Sequence, residues 1–109
     1  MIVGVGIDIV SIPRLTAALA RTPSLLTRVF TPLEADLSPE SLAGRFAVKE
    51  AVAKALFRPP GIAWQDAEVL RGEDGRPTLV VRGYEHLRWH VSIAHDGGFA
   101  TAVVIAEDA

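Results

Sequence analysis

Gly44-Arg45-Phe46-Ala47-Val48-Lys49-Glu50-Ala51-Val52-Ala53-Lys54-Ala55-Leu56 reads as a helix that is apolar nearly all round, yet it carries a carboxylate, Glu50, in its middle. At 3.6 residues per turn one side holds Ala43, Phe46, Ala47, Glu50, Ala53, Lys54 and Phe57, while Val48, Val52, Ala55 and Leu56 fill the other. A helix with so little polar surface is packed on several sides. A carboxylate drawn out of water there requires a cation, a metal or a proton to compensate it.

Working outward, Ser38-Pro39-Glu40 opens this helix near Pro39 to Ser41, and Phe57-Arg58-Pro59-Pro60-Gly61 closes it, since proline cannot continue it. Ile62-Ala63-Trp64 is a short extended segment. Upstream, Ile2 to Val10 reads as a strand with a β-branched face of Val3, Val5, Ile7 and Ile9, and an opposite face of Ile2, Gly4, Gly6, Asp8 and Val10. Two glycines in register with Asp8 imply a close approach by another backbone or by a ligand. Ser11 is an N-cap and Pro13 a first-turn residue for a helix to about Arg21, with Leu15, Ala18 and Leu19 inward. Leu25 to Phe30 gives a second short helix, and Thr31-Pro32 caps a short Leu33–Leu37 segment.

Downstream, Ala67 to Arg71 and Thr78 to Arg82 form a hairpin around Asp74-Gly75, Gly83 to Arg88 a single helical turn, and Trp89 to Ala94 and Phe99 to Ala106 a second hairpin. The expected fold is α+β: an antiparallel sheet of about five strands on one long helix, with shorter helices beside it. Residues 1–109 are expected to form one domain.

Half of the residues are apolar, without a run long enough to span a bilayer, and the amino terminus lacks the pattern of a secretory signal. The expectation is therefore a cytoplasmic protein with no membrane partner. The net charge of −2 argues against nucleic acid. The charge is uneven, with seven Lys/Arg against five Asp/Glu in residues 1–60 and four against eight thereafter. With no cysteine, a metal would be held by oxygen or histidine, which favours a hard ion such as magnesium.

Several of these features have plain structural explanations. Glu50 precedes Lys54 in the favourable i,i+4 order, as an ordinary ion pair would. Arg45 and Lys49 repel at the same spacing, which suits either a solvated face or a shared anion. His86 and His90 read as surface residues, while His95, beside the Gly97-Gly98 turn, suits either a polar hairpin end or a ligand contact.

Gly6-Ile7-Asp8 followed by Arg14, Arg45-Phe46-Ala47-Val48-Lys49-Glu50-Ala51 continuing to Lys54, and Val91-Ser92-Ile93-Ala94-His95 together resemble the holo-[acyl-carrier-protein] synthase family of 4′-phosphopantetheinyl transferases. The likeness covers almost the whole chain. It implies transfer of phosphopantetheine from coenzyme A to a serine of an acyl carrier protein, in fatty-acid or polyketide synthesis, with release of adenosine 3′,5′-bisphosphate.

By the same resemblance Asp8 and Glu50 ligate Mg2+, and Gly4 and Gly6 leave room beside them. Lys54 steadies the leaving group, and Arg45, Lys49, Lys54, Gly61 and His95 bind coenzyme A. The serine proton passes to Glu50 or to water on the metal; both acceptors stand. Arg14, with Arg21 and Arg28 extending its face, docks the acidic carrier. A homotrimer is implied.

Three departures from the family pattern stand out: the Phe57–Gly61 segment in place of a glycine-rich loop, a short stretch between Thr31 and Leu42, and Ala94 before the histidine. A non-enzymatic module that binds coenzyme A or carrier is the competing reading. A purely structural trimer would leave Asp8 and Glu50 unexplained.

Overall fold

The computed structural model describes residues 1–57 and 63–109. Its elements are β1 (Ile2–Ser11), α1 (Ile12–Arg21), α2 (Ser24–Val29), α3 (Pro39–Leu56), a 3-10 turn (Trp64–Asp66), β2 (Ala67–Arg71), β3 (Pro77–Val81), β4 (Leu87–Asp96) and β5 (Phe99–Asp108). The expected five antiparallel strands form two sheets, β1-β5-β4 and the hairpin β2-β3. No helix among the described residues is long and apolar enough to cross a membrane.

Local chemistry sets the helix boundaries. The Ser11 hydroxyl accepts the Arg14 N–H at 3.3 Å to start α1, and the Ser38 hydroxyl accepts the Ser41 N–H at 3.3 Å to start α3. The long helix stops where Phe57 turns left-handed at φ 52°. Glycine is the usual residue at such a cap, and Phe57 is mostly exposed. Phe57→Gly should therefore gain roughly 0.5–1 kcal/mol, seen as a higher urea midpoint at unchanged m-value.

Helix α3 lies across the inner face of the three-stranded sheet. Ala43, Ala47, Val48, Ala51 and Val52 are completely buried, as are Ala100, Val104 and Ala106 of β5. The two glycines of β1 make this approach possible. A Cβ on Gly4 would overlap the Ala55 carbonyl oxygen, and one on Gly6 would overlap that of Ala51. The close approach expected at this face is thus by a backbone, that of α3. It does not clear space for a metal beside Asp8.

The β-branched face of β1 points outward. Val5, Ile7 and Ile9 are 50, 63 and 65% exposed, and Val5 and Ile7 pair with Ile105 and Val103 of β5 on the same side. This is a continuous apolar sheet surface of the kind that partner subunits cover.

Three local expectations give way to turns. Leu33–Leu37 and Gly83–Arg88 contain turns and no helix, and Trp64 begins the 3-10 turn. Residues 58–62, including the expected helix-breaking prolines and Gly61, lie outside the described residues.

Candidate active site

Asp8 sits on the inner face of β1, two residues beyond Gly6, and Glu50 and Lys54 face it from α3. The Lys54 ammonium lies 3.0 Å from Asp8 Oδ1 and donates to the Ile7 carbonyl at 3.0 Å. It therefore spans two elements, reaching Asp8 instead of closing the i,i+4 pair with Glu50. Thr101 Oγ1 donates to the Asp8 carbonyl at 2.8 Å, fixing the strand at this point.

Glu50 is only partly compensated. Partial burial, and then the neighbouring Asp8 charge, push its carboxyl above the usual range, while Lys54 pulls the other way. Two hard carboxylates sharing one lysine leave negative charge in a half-dry site. That donor set fits a hard divalent cation, with water or substrate oxygens completing its shell. Among the described residues no group of three or more His, Asp or Glu could enclose a metal without such oxygens.

Arg45 lies about 140° around α3 from Glu50 and opens on a different cavity, of about 370 Å³. Arg71 and Arg76 of the β2-β3 hairpin and His95 of β4 line it too. Arg45 Nε is buried with no hydrogen-bond partner among the described residues. Burial and the charge of Arg71 lower the guanidinium's pKa, and Glu34 opposes them. An anion in this cavity would relieve the repulsion between Arg45 and Arg71. His95 donates Nε2–H to the Glu40 carbonyl at 3.1 Å, and Gly44 leaves space for the imidazole.

Arg71 and Arg76 escaped the sequence reading, which took their segment for turn chemistry only. The available signal was a pair of arginines flanking a tight hairpin.

Lys49 is a correction. Expected to meet coenzyme A phosphates, it is instead sealed in the core. Its ammonium lies 2.9 Å from Glu34 Oε1, both side chains being 1% exposed, and it donates to the carbonyls of Trp64 (3.0 Å) and Ala67. Burial lowers the Lys49 pKa, and the hydrogen bond and charge of Glu34 oppose that. Glu34 also accepts the N–H groups of Thr31 (3.0 Å) and Val69 (3.1 Å). Lys49 points inward, away from any ligand, so the Arg45–Lys49 repulsion is settled internally.

A groove of about 460 Å³ runs between α1, α2 and α3, with Asp8 among its lining residues. Arg14 and Arg21 border it, and Leu15, Leu19, Phe46 and Trp64 supply much of its apolar wall. Arg28 is exposed on α2 but does not line it.

The molecule is thus an α+β domain in which a carboxylate pair, an anion cavity and an apolar groove with basic residues surround one central helix. The chain belongs to the 4′-phosphopantetheinyl transferase superfamily, whose model matches residues 4–104. It is 50% identical over 115 residues to the holo-[acyl-carrier-protein] synthase of Frankia alni, covering 97% of this chain and 98% of that protein. It is 54% identical over 115 residues to the Kocuria rhizophila holo-[acyl-carrier-protein] synthase, covering 98% and 94%. The structure matches a holo-(acyl-carrier-protein) synthase from Bacillus anthracis in complex with CoA (3′,5′-ADP), with TM-score 0.87 and 34% identity, covering 100% of this chain and 99% of that one.

Proposed function

We propose that this chain transfers 4′-phosphopantetheine from coenzyme A to a serine of an apo acyl carrier protein, releasing adenosine 3′,5′-bisphosphate. The observation that carries this reading is the Asp8–Glu50 pair with Lys54 beside it, opposite the arginine-lined cavity on the same helix. The serine oxygen forms a bond to the β-phosphorus as the bond to the bridging oxygen breaks. Negative charge then collects on that bridge and on the equatorial oxygens. Lys54, exposed enough to exchange Asp8 for phosphate, hydrogen-bonds the departing group. Glu50, or a water beside it, would take the serine proton.

Asp8 and Glu50 would hold Mg2+, which supplies further charge neutralisation at the pyrophosphate. Arg45, Arg71, Arg76 and His95 would bind the nucleotide phosphates. Because the cavity and the carboxylate pair open from different sides of α3, a complete site requires two chains. The exposed apolar face of Val5, Ile7 and Ile9 suits a contact between copies of the chain, and the family resemblance makes that assembly a homotrimer. Coenzyme A and a carrier as substrates imply action in the cytoplasm.

The groove receives the carrier, with Arg14 and Arg21 meeting acidic side chains. Arg14→Ala is expected to raise carrier KM about tenfold with little change for coenzyme A, the difference shrinking at high salt. A change mainly in coenzyme A KM would remove Arg14 from the docking face. The overall reading is tested by following adenosine 3′,5′-bisphosphate release, which should require both coenzyme A and apo carrier. Release without carrier, or none with it, would contradict the transfer.

A further inference from the structure

The sealed Lys49–Glu34 pair takes no part in the chemistry above, yet it is joined to the wall of the groove at several points. Lys49 Nζ holds the Trp64 carbonyl at 3.0 Å and sits 5.8 Å from the centre of the Phe30 ring. Gln65, the next residue in the 3-10 turn, donates from Nε2 to the carbonyls of Thr27 and Phe30. Glu34 ties in the Thr31 and Val69 N–H groups, and Thr31 Oγ1 donates to Glu68. The Trp64 ring stacks on Phe46 of α3, with centroids 5.2 Å apart at 23°. Phe30, Phe46 and Trp64 all line the groove.

We propose that Lys49, held by Glu34, is a positioning residue that sets the Phe46–Trp64 wall, backed by the buried Phe30, against which the carrier docks. The inference rests on the reading of the groove as the carrier site. A buried ion pair is a costly way to hold a core, because apolar residues of similar volume often serve equally well. Here the ammonium does something an apolar side chain cannot: from the middle of α3 it binds the carbonyl of Trp64 in the 3-10 turn and that of Ala67 at the start of β2. The pair is neutral as a unit, so removing both charges together leaves the net charge of the chain unchanged.

The test is Glu34→Gln/Lys49→Met, measured beside Val52→Ala, which opens a cavity elsewhere on α3 and serves as a destabilised control. Assays are run well below the melting transition of every variant. Carrier KM should rise about tenfold in the double variant, with coenzyme A KM within twofold, while Val52→Ala keeps both. In a Trp89→Phe background the double variant should shift Trp64 emission to longer wavelength, as the stack loosens. Parental carrier KM and parental emission in the double variant would overturn the proposal, as would an equal KM rise in Val52→Ala. Should Arg14→Ala leave carrier KM unchanged, the groove reading itself falls; the emission arm still reports whether Lys49 sets the wall.

Discussion

Glu50→Gln should lower turnover by about a thousandfold or more while the chain stays folded, and Asp8→Asn should do the same. Both changes keep side-chain volume and remove the charge on which metal binding and proton transfer depend. Calorimetric titration should show that either variant loses most of its Mg2+ affinity, a readout independent of activity. Substantial turnover in either variant would show that the pair does not hold the metal.

The same substitution at Glu50 should stabilise the metal-free chain. Because folding raises the Glu50 pKa, the ionised form is disfavoured in the native state, and that penalty is fully present above the folded pKa. It fades as pH falls through the folded value and is gone below the unfolded one. Glu50→Gln should thus melt slightly higher than the parent at neutral pH, the gain vanishing near pH 4. The exposed part of the site keeps this gain to a fraction of a kcal/mol. Activity lost and stability gained from one atom change is the signature of a functional carboxylate.

Lys49→Met alone should be among the most damaging single substitutions in the chain. It leaves the Glu34 carboxylate buried without its cation and frees the carbonyls of Trp64 and Ala67. Breaking a buried pair from one side costs about 3–5 kcal/mol, which for a domain of this size lowers the melting temperature by roughly 10–20 °C. Restoring neutrality with Glu34→Gln in the same chain should recover much of that loss. Thermal unfolding of the single and double variants measures both effects. A single variant as stable as the parent would mean that the pair is not sealed as the structure has it.

Where sequence and structure agree, a local signal matches a local cause. Ser11 and Ser38 cap helices because their hydroxyls reach nearby N–H groups, and Asp74-Gly75 turns a hairpin because glycine takes the positive φ. Asp8 and Glu50 were legible because a carboxylate beside two glycines, and another on an apolar helix, are both anomalies. Their convergence follows once α3 lies on β1.

What could not be read was the nature of the neighbour on the glycine face of β1, since two glycines beside Asp8 suit a backbone or a ligand alike. The structure places the backbone of α3 there, which only a face without Cβ atoms admits. Lys49 was misplaced for a related reason: its partner Glu34 stands fifteen residues away in a segment with no regular pattern. Spacing along one helix cannot reveal a counter-ion supplied by a loop.

The most direct measurement is the intact mass of an apo acyl carrier protein after incubation with this chain, coenzyme A and Mg2+. The parent should add one phosphopantetheine group to each carrier, localised by fragmentation to a serine, and Glu50→Gln should leave the carrier apo. A carrier whose mass is unchanged by the folded parent, or one modified equally well by Glu50→Gln, would contradict the account.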